Sequence, residues 1–185
     1  MVVSQPIIMG VLNITPDSFS DGGLFFNSKS AITQAEVMVK EGAGIIDIGG
    51  ESTRPGAPEV SIEDELNRVI PVIEALSSNI DVPISIDTSK PIVMEKAFNA
   101  GASIINDVNA LRSEGALKMA ASLEADVCLM HMQGSPRTMQ KNPTYDNVVS
   151  DVKVFFEQRI EACKSAGIKL NAITLDPGFG FGKNL

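Results

Sequence analysis

Six polar side chains each close a short apolar run: Asn13 after residues 7–12, Glu51 after 45–50, Asp87 after 84–86, Asn106 after Ile104 and Ile105, His131 after 127–130, and Asp176 after 173–175. An ionised carboxylate only accepts hydrogen bonds, whereas an Asn side chain both donates and accepts. Asp87, Asn106 and Asp176 together therefore match a flat heterocycle bearing amino, ring N–H and carbonyl groups. Such a site rejects analogues lacking these groups, because its own buried polar atoms would be left unpaired. A single Asp at a strand end commonly caps the next helix; three polar ends around one mouth point to a ligand. His131 is the only histidine, and no Ser on a nucleophile elbow accompanies it, so a structural hydrogen bond is its expected role.

The segments that follow three of these ends add further groups. Residues 13–23 read Asn13-Ile14-Thr15-Pro16-Asp17-Ser18-Phe19-Ser20-Asp21-Gly22-Gly23. Turn chemistry accounts for the Pro, Asp and Gly, but not for Asn13 ending a strand or Phe19 in a polar loop. Residues 49–56 read Gly49-Gly50-Glu51-Ser52-Thr53-Arg54-Pro55-Gly56. The glycines admit a ligand close to the backbone, Ser52 and Thr53 offer hydroxyls, and Arg54 offers a fork for phosphate or carboxylate. A solvated loop with an Arg–Glu pair is the competing reading. Residues 176–183, Asp176-Pro177-Gly178-Phe179-Gly180-Phe181-Gly182-Lys183, set glycines between two aromatics, as a close-approach loop for a planar ligand would.

The elements that must carry these ends alternate. One phrase recurs where a helix stops and a strand begins: Glu41-Gly42-Ala43-Gly44-Ile45-Ile46-Asp47, then Ala100-Gly101-Ala102-Ser103-Ile104-Ile105-Asn106, with Ser165-Ala166-Gly167 opening a third copy. Each Gly suits a left-handed helix stop. Ser61-Ile62-Glu63-Asp64 resembles a capping box ahead of Leu66, Val69, Ile70 and Ile73 at helical spacing. Pro91 suits a first helical turn, and residues 148–166 form a long helix with Val152, Phe155, Phe156 and Ile160 on one side. Strands alternating with helices build a parallel sheet whose strand ends share one rim. The strands read as apolar almost throughout, as expected for a sheet covered on both faces. Three long segments, residues 14–29, 52–60 and 132–147, follow strands and so belong to that rim. The fold class is α/β of the (β/α)8 TIM-barrel type, with about six of eight strands in this sequence. Residues 1–185 read as one domain.

The 185 residues carry a formal net charge of −8 and a pI near 4.6, which argues against nucleic acid or an anionic membrane as partner. With 44% hydrophobic and 21% charged residues the chain is of soluble globular composition. Its first residues have neither a basic n-region nor an apolar h-region. Cys128 and Cys163 lie in an apolar run and a helical run without metal-ligand neighbours, so two buried reduced thiols in a cytoplasmic protein are expected.

Taken together, the phrases at residues 13–23, 49–56, 87, 106 and 176–183 closely resemble the dihydropteroate synthase family, from Ile8 to the last residue. The resemblance implies a transferase that condenses a 6-hydroxymethyl-7,8-dihydropterin pyrophosphate with 4-aminobenzoate, releasing pyrophosphate, by a dissociative substitution. It implies that Asp87, Asn106 and Asp176 hold the pterin and, with Arg54, form the catalytic group. Asn13 matches the position associated with Mg²⁺, and Thr53 and Arg54 match contacts to pyrophosphate or aminobenzoate. Phe19, Pro55 and Phe181 match positions enclosing the aminobenzoate ring, Met130 packs on the pterin face, and Lys183 belongs to the same substrate loop. A homodimer is implied for the full-length enzyme. The family's closing strands, with a lysine and an Arg-x-His pair, are not in this sequence, so a C-terminally incomplete, weakly active or inactive chain is expected. A methyltetrahydrofolate-binding methyltransferase domain and a non-catalytic pterin-binding remnant are the alternatives.

Overall fold

Apolar runs and helical stripes resolve into six strands and five α-helices in the computed structural model, which describes residues 5–14, 23–52, 57–134, 138–140 and 142–183. In chain order they are β1 (Met9–Asn13), α1 (Gly23–Lys40), β2 (Ile45–Gly49), α2 (Ile62–Ser77), β3 (Ile84–Asp87), α3 (Pro91–Ala100), β4 (Ile104–Asp107), α4 (Ala116–Ser122), β5 (Asp126–Met130), α5 (Val148–Ser165) and β6 (Ile173–Asp176). The strands form one parallel sheet in the order β1-β2-β3-β4-β5-β6. Parallel neighbours cannot be joined by a tight turn, so each connection crosses by way of a helix. The order never reverses, which is the winding of a (β/α) barrel rather than of a doubly wound sheet. Among the described residues β1 and β6 are not paired with each other.

Alternation along each strand divides the side chains between two sides. Ile46, Ile48, Ile84, Ile86, Ile105 and Leu129 are buried against the helices, where they meet Val69, Val72, Ile73 and Leu76 of α2 and Val93, Met94 and Ala97 of α3. Each such aliphatic side chain contributes about 1.5–3 kcal/mol by leaving water. The other side carries Asp47, Ser85, Asp87 and Asn106, so the strands are not apolar throughout: the sheet has an apolar outer face and a polar inner one.

Local signals place the helices. Ser61 caps α2, its side chain accepting the Asp64 N–H at 3.0 Å while its hydroxyl donates to Asp64 Oδ2 at 2.7 Å. Pro91 occupies the first turn of α3, and Asn147 caps α5 by accepting from Ser150 N. The recurrent stops Gly42, Gly101 and Gly167 have φ of 109°, 120° and 97°. Ser61→Ala is expected to lower stability by about 1 kcal/mol; a thermal unfolding midpoint unchanged from wild type would contradict that reading of the cap.

Two sequence boundaries move. The loop expected over residues 14–29 ends sooner, because α1 starts at Gly23. Paired glycines and the polar Asn27 and Ser28 disguise that start, while Ala31 and Ala35, one turn apart and fully buried, seat the helix. The first strand begins at Met9, where pairing with Ile45 begins, leaving Ile7 and Ile8 outside it at 70% and 61% exposure.

Candidate functional site

Register decides which polar ends can act together. One row across the sheet reads Asn13, Gly49, Asp87, Asn106, Cys128 and Thr174, each directly opposite the next. The next inward row higher, at the strand ends, pairs Met130 with Asp176. Asp87 and Asn106 are thus immediate neighbours, and Asp176 stands two residues above the row beside Met130. Period-two alternation sends all of these to the polar inner face.

Beneath the row lies Asp47, which sequence reasoning did not single out. Its carboxylate is 2% exposed; Oδ2 accepts from Asn106 Nδ2 at 2.9 Å, and Oδ1 is buried without a partner. That bond fixes the amide of Asn106, so its carbonyl oxygen is presented as an acceptor. Ser85 sits opposite Asp47 on β3, also buried. The signal was available: Ile45-Ile46-Asp47-Ile48 and Ile84-Ser85-Ile86-Asp87 each carry a polar residue two places before the strand end, on the same face as it.

Burial raises the Asp47 carboxyl above its ordinary range, partly offset by the Ser85 and Asn106 side chains. Asp87 is raised well above it, first by burial and then by the negative charges of Asp47, Asp107, Glu65 and Glu51. Among the described residues no protein group donates to the Asp87 side chain, which lies beside the backbone of Gly49: a Cβ there would come within 3.5 Å of Asp87 Oδ2 and 3.4 Å of Asn13 Oδ1. Cys128, in the same row, has its thiol pushed up to about 12 by burial and by Asp176, Asp47 and Asp87. The thiol therefore stays protonated and forms wall, not nucleophile.

Asp176 Oδ1 accepts the Gly178 N–H at 2.8 Å, orienting the carboxylate while Oδ2 makes no protein hydrogen bond among the described residues. Met130 and Phe181 share a small apolar cluster with Met132, Met139 and Val108 beside the polar row. The Lys183 ammonium donates to the carbonyls of His131, Gly178 and Phe181 at 3.1, 2.9 and 3.1 Å. All three of its N–H groups are thereby engaged in tying the β6 loop to the end of β5. Asp107 likewise serves structure, accepting from the N–H groups of Asn109 and Leu111 and from the Ser89 hydroxyl.

His131 follows Met130 but faces α5, its ring edge-on to Phe155 with centroids 4.9 Å apart. Nδ1 is buried without a partner, and burial lowers its pKa. The expected side-chain hydrogen bond is not what holds Nδ1; ring packing seats the residue. Phe19, Thr53, Arg54 and Pro55 lie outside the described residues.

What the inner face offers is a set of acceptors, Asp87, Asn106 and Asp176, the last two oriented by hydrogen bonds, beside the apolar Met130. Residues 9–185 match the family described as pterin binding enzyme. The chain belongs to the pterin-binding enzyme family. Over 183 residues it is 55% identical to the dihydropteroate synthase of Escherichia coli strain K12, covering 99% of this chain and 65% of that relative. The Yersinia pestis dihydropteroate synthase, solved in complex with a sulfonamide drug, superposes with a TM-score of 0.91 at 55% identity, over 97% of this chain and 65% of the other. The Xanthomonas albilineans dihydropteroate synthase, solved with 7,8-dihydropteroate, superposes with a TM-score of 0.86 at 46% identity, over 100% of this chain and 64% of the other. This pterin-binding enzyme chain thus spans about two thirds of the length of the relatives it matches, and its sheet is of the barrel type seen in them.

Proposed function

We propose that the protein is a dihydropteroate synthase, joining 6-hydroxymethyl-7,8-dihydropterin pyrophosphate to 4-aminobenzoate. The observation that carries this reading is the placement of Asp87 and Asn106 side by side, with Asp176 beside Met130, in a chain that shares more than half its residues with enzymes of that name. A 2-amino-4-oxo pterin edge supplies N–H donors to the two carboxylates and a partner to the Asn106 amide, while Met130 takes one ring face. Its donors relieve the crowding of negative charge on Asp87, so the site favours a donor-rich or cationic ring.

Cleavage of the bond between the pterin methylene carbon and the pyrophosphate oxygen leaves positive charge conjugated with the ring and negative charge on the departing group. Asp87 and Asp176 stabilise the first. Arg54 and Thr53, assigned by resemblance, serve the second, with Phe19, Pro55 and Phe181 enclosing the acceptor ring. The aniline nitrogen of 4-aminobenzoate is a competent nucleophile once positioned, so a strong general base is not required.

Asn13 suits Mg²⁺ of the kind that keeps its waters and takes one or two protein oxygens together with substrate phosphates. Its amide oxygen stands over the side-chain-free Gly49, across from Asp87, and the described residues contain no cluster of three or more His, Cys, Asp or Glu able to hold an ion unaided. When bound, Mg²⁺ would supply counter-charge to the leaving pyrophosphate. Asn13→Ala is expected to raise the Mg²⁺ concentration needed for half-maximal turnover and leave the unfolding midpoint in place; an unaltered metal titration would remove Asn13 from that role.

The test of the function is dihydropteroate formation by the whole protein with matching pyrophosphate release when both substrates are supplied. Binding of methyltetrahydrofolate without such release would favour a methyl-transfer domain instead, and pterin binding without either reaction a non-catalytic remnant. We further take residues 1–185 as one barrel unit of a cytoplasmic enzyme, on its two free thiols, and the whole enzyme as a homodimer.

A further inference from the structure

The buried carboxylate of Asp47 takes no part in the substrate contacts assigned above. It sits in the middle of β2, between the fully buried Ile46 and Ile48. Among the described residues no cation pairs with it, and Oδ1 is buried without a partner. A carboxylate so placed is costly, and a neutral side chain of the same shape would serve the sheet better. Stability therefore does not account for it.

What the carboxylate does is reach past a strand. Asp47 lies directly opposite Ser85 of β3, and Asn106 stands beyond, on β4, opposite Asp87. With neighbouring strands about 4.8 Å apart, the 2.9 Å bond from Asn106 Nδ2 to Asp47 Oδ2 ties together two strands that are not paired with each other. An ionised carboxylate has no proton to give, so Nδ2 must face it. A flipped amide would set Oδ1 of Asn106 against Oδ2 of Asp47, acceptor against acceptor. A neutral amide at position 47 could give as well as accept, and would tolerate either orientation.

The edge of Asn106 left to the rim thus carries Oδ1 and the second N–H of Nδ2 in a fixed order. That order distinguishes two ring chemistries. A pterin sets an acceptor, N1, beside a donor, its 2-amino group, whereas neutral lumazine, the 2,4-dioxo analogue, sets a donor, N1–H, beside an acceptor. The flip that Asp47 forbids is the one that would suit lumazine. We propose that Asp47 is the positioning residue by which the site chooses an amino- over an oxo-pteridine: acting through Asn106, without touching the ring, it locks the amide in the order the pterin edge requires. This rests on the pterin reading of the rim.

The test titrates the whole protein and its Asp47→Asn, Asn106→Ala and double variants with 6-hydroxymethylpterin and 6-hydroxymethyllumazine by calorimetry. Asp47→Asn is expected to reduce the preference for the pterin by about tenfold, because matched hydrogen bonds become available to both rings, and not to lower the unfolding midpoint. In the Asn106→Ala background the same change is expected to alter the preference less than about twofold. Without ligand, hydrogen exchange of the Asn106 side-chain NH2, followed by NMR, is expected to quicken in Asp47→Asn. A preference unchanged in folded Asp47→Asn, or lost equally in both backgrounds, would overturn the proposal, as would unchanged NH2 exchange. If the wild-type protein binds neither ring, the exchange measurement still tests the lock, and it is the pterin reading that fails.

Discussion

Asp87→Asn is expected to weaken binding of a pterin analogue by about 10- to 100-fold, equivalent to about 1.5–3 kcal/mol for a hydrogen bond to a charged group, and to stabilise the ligand-free protein at neutral pH. The second half follows from the sign of the shift. Burial and the charges of Asp47, Asp107, Glu65 and Glu51 raise the Asp87 carboxyl well above its ordinary value. Between the ordinary value near 3.9 and the raised one, the folded state holds a proton that the unfolded state has released. Stability therefore falls as pH rises through that window, and above it the ionised carboxylate is a standing cost. A neutral Asn of the same shape removes the cost. The gain in denaturation midpoint should be present at pH 7 and vanish below the ordinary carboxylate value, where both states are protonated. Calorimetry and chemical denaturation read the two halves separately. Unchanged pterin affinity with reduced stability would return Asp87 to a helix-capping role.

Gly178→Ala is expected to cost more than about 2 kcal/mol, since it combines a left-handed backbone with a backbone clash, and to abolish pterin binding with it. Gly178 has φ of +65°, and a Cβ there would lie 2.2 Å from the His131 carbonyl oxygen and 3.1 Å from Met130 Cγ. Relief requires parting the ends of β5 and β6. That parting would break the Gly178 N–H bond that orients Asp176 and two of the three carbonyls that Lys183 holds together. Gly180 is the control: its φ is +87°, but a Cβ would meet nothing within 4 Å, so Gly180→Ala should cost only about 1 kcal/mol of backbone preference. Equal losses at the two positions, by thermal unfolding, would show that conformation alone matters and that the contact with His131 does not.

Much of this site was legible because a strand end is a strong signal. An apolar run stopping on Asp, Asn or Glu gives a residue its level, and the alternation with helices turns six such levels into one rim. The register shows what that inference omits. Asp47, Ser85 and Cys128 lie inside apolar runs, where a single polar letter looks like noise unless the inward face is followed two residues at a time. Lys183 reads as part of a substrate loop, but its partners are three backbone carbonyls, which no side-chain pattern can announce. His131 reads as a hydrogen-bonding residue and is seated instead by Phe155, twenty-four positions away on the next helix. Glu51, Glu65 and Lys90 are distant in sequence, and only the fold brings the two carboxylates to one ammonium.

The most direct test of the central claim, that the inner rim of this sheet holds a pterin, is a crystal structure of the protein with a pterin analogue. The prediction is a ring whose polar edge lies within about 2.7–3.2 Å of Asp87, Asn106 and Asp176, with Met130 against one face. A ring bound elsewhere, or in the rim with none of those three side chains in hydrogen-bond contact, would contradict it.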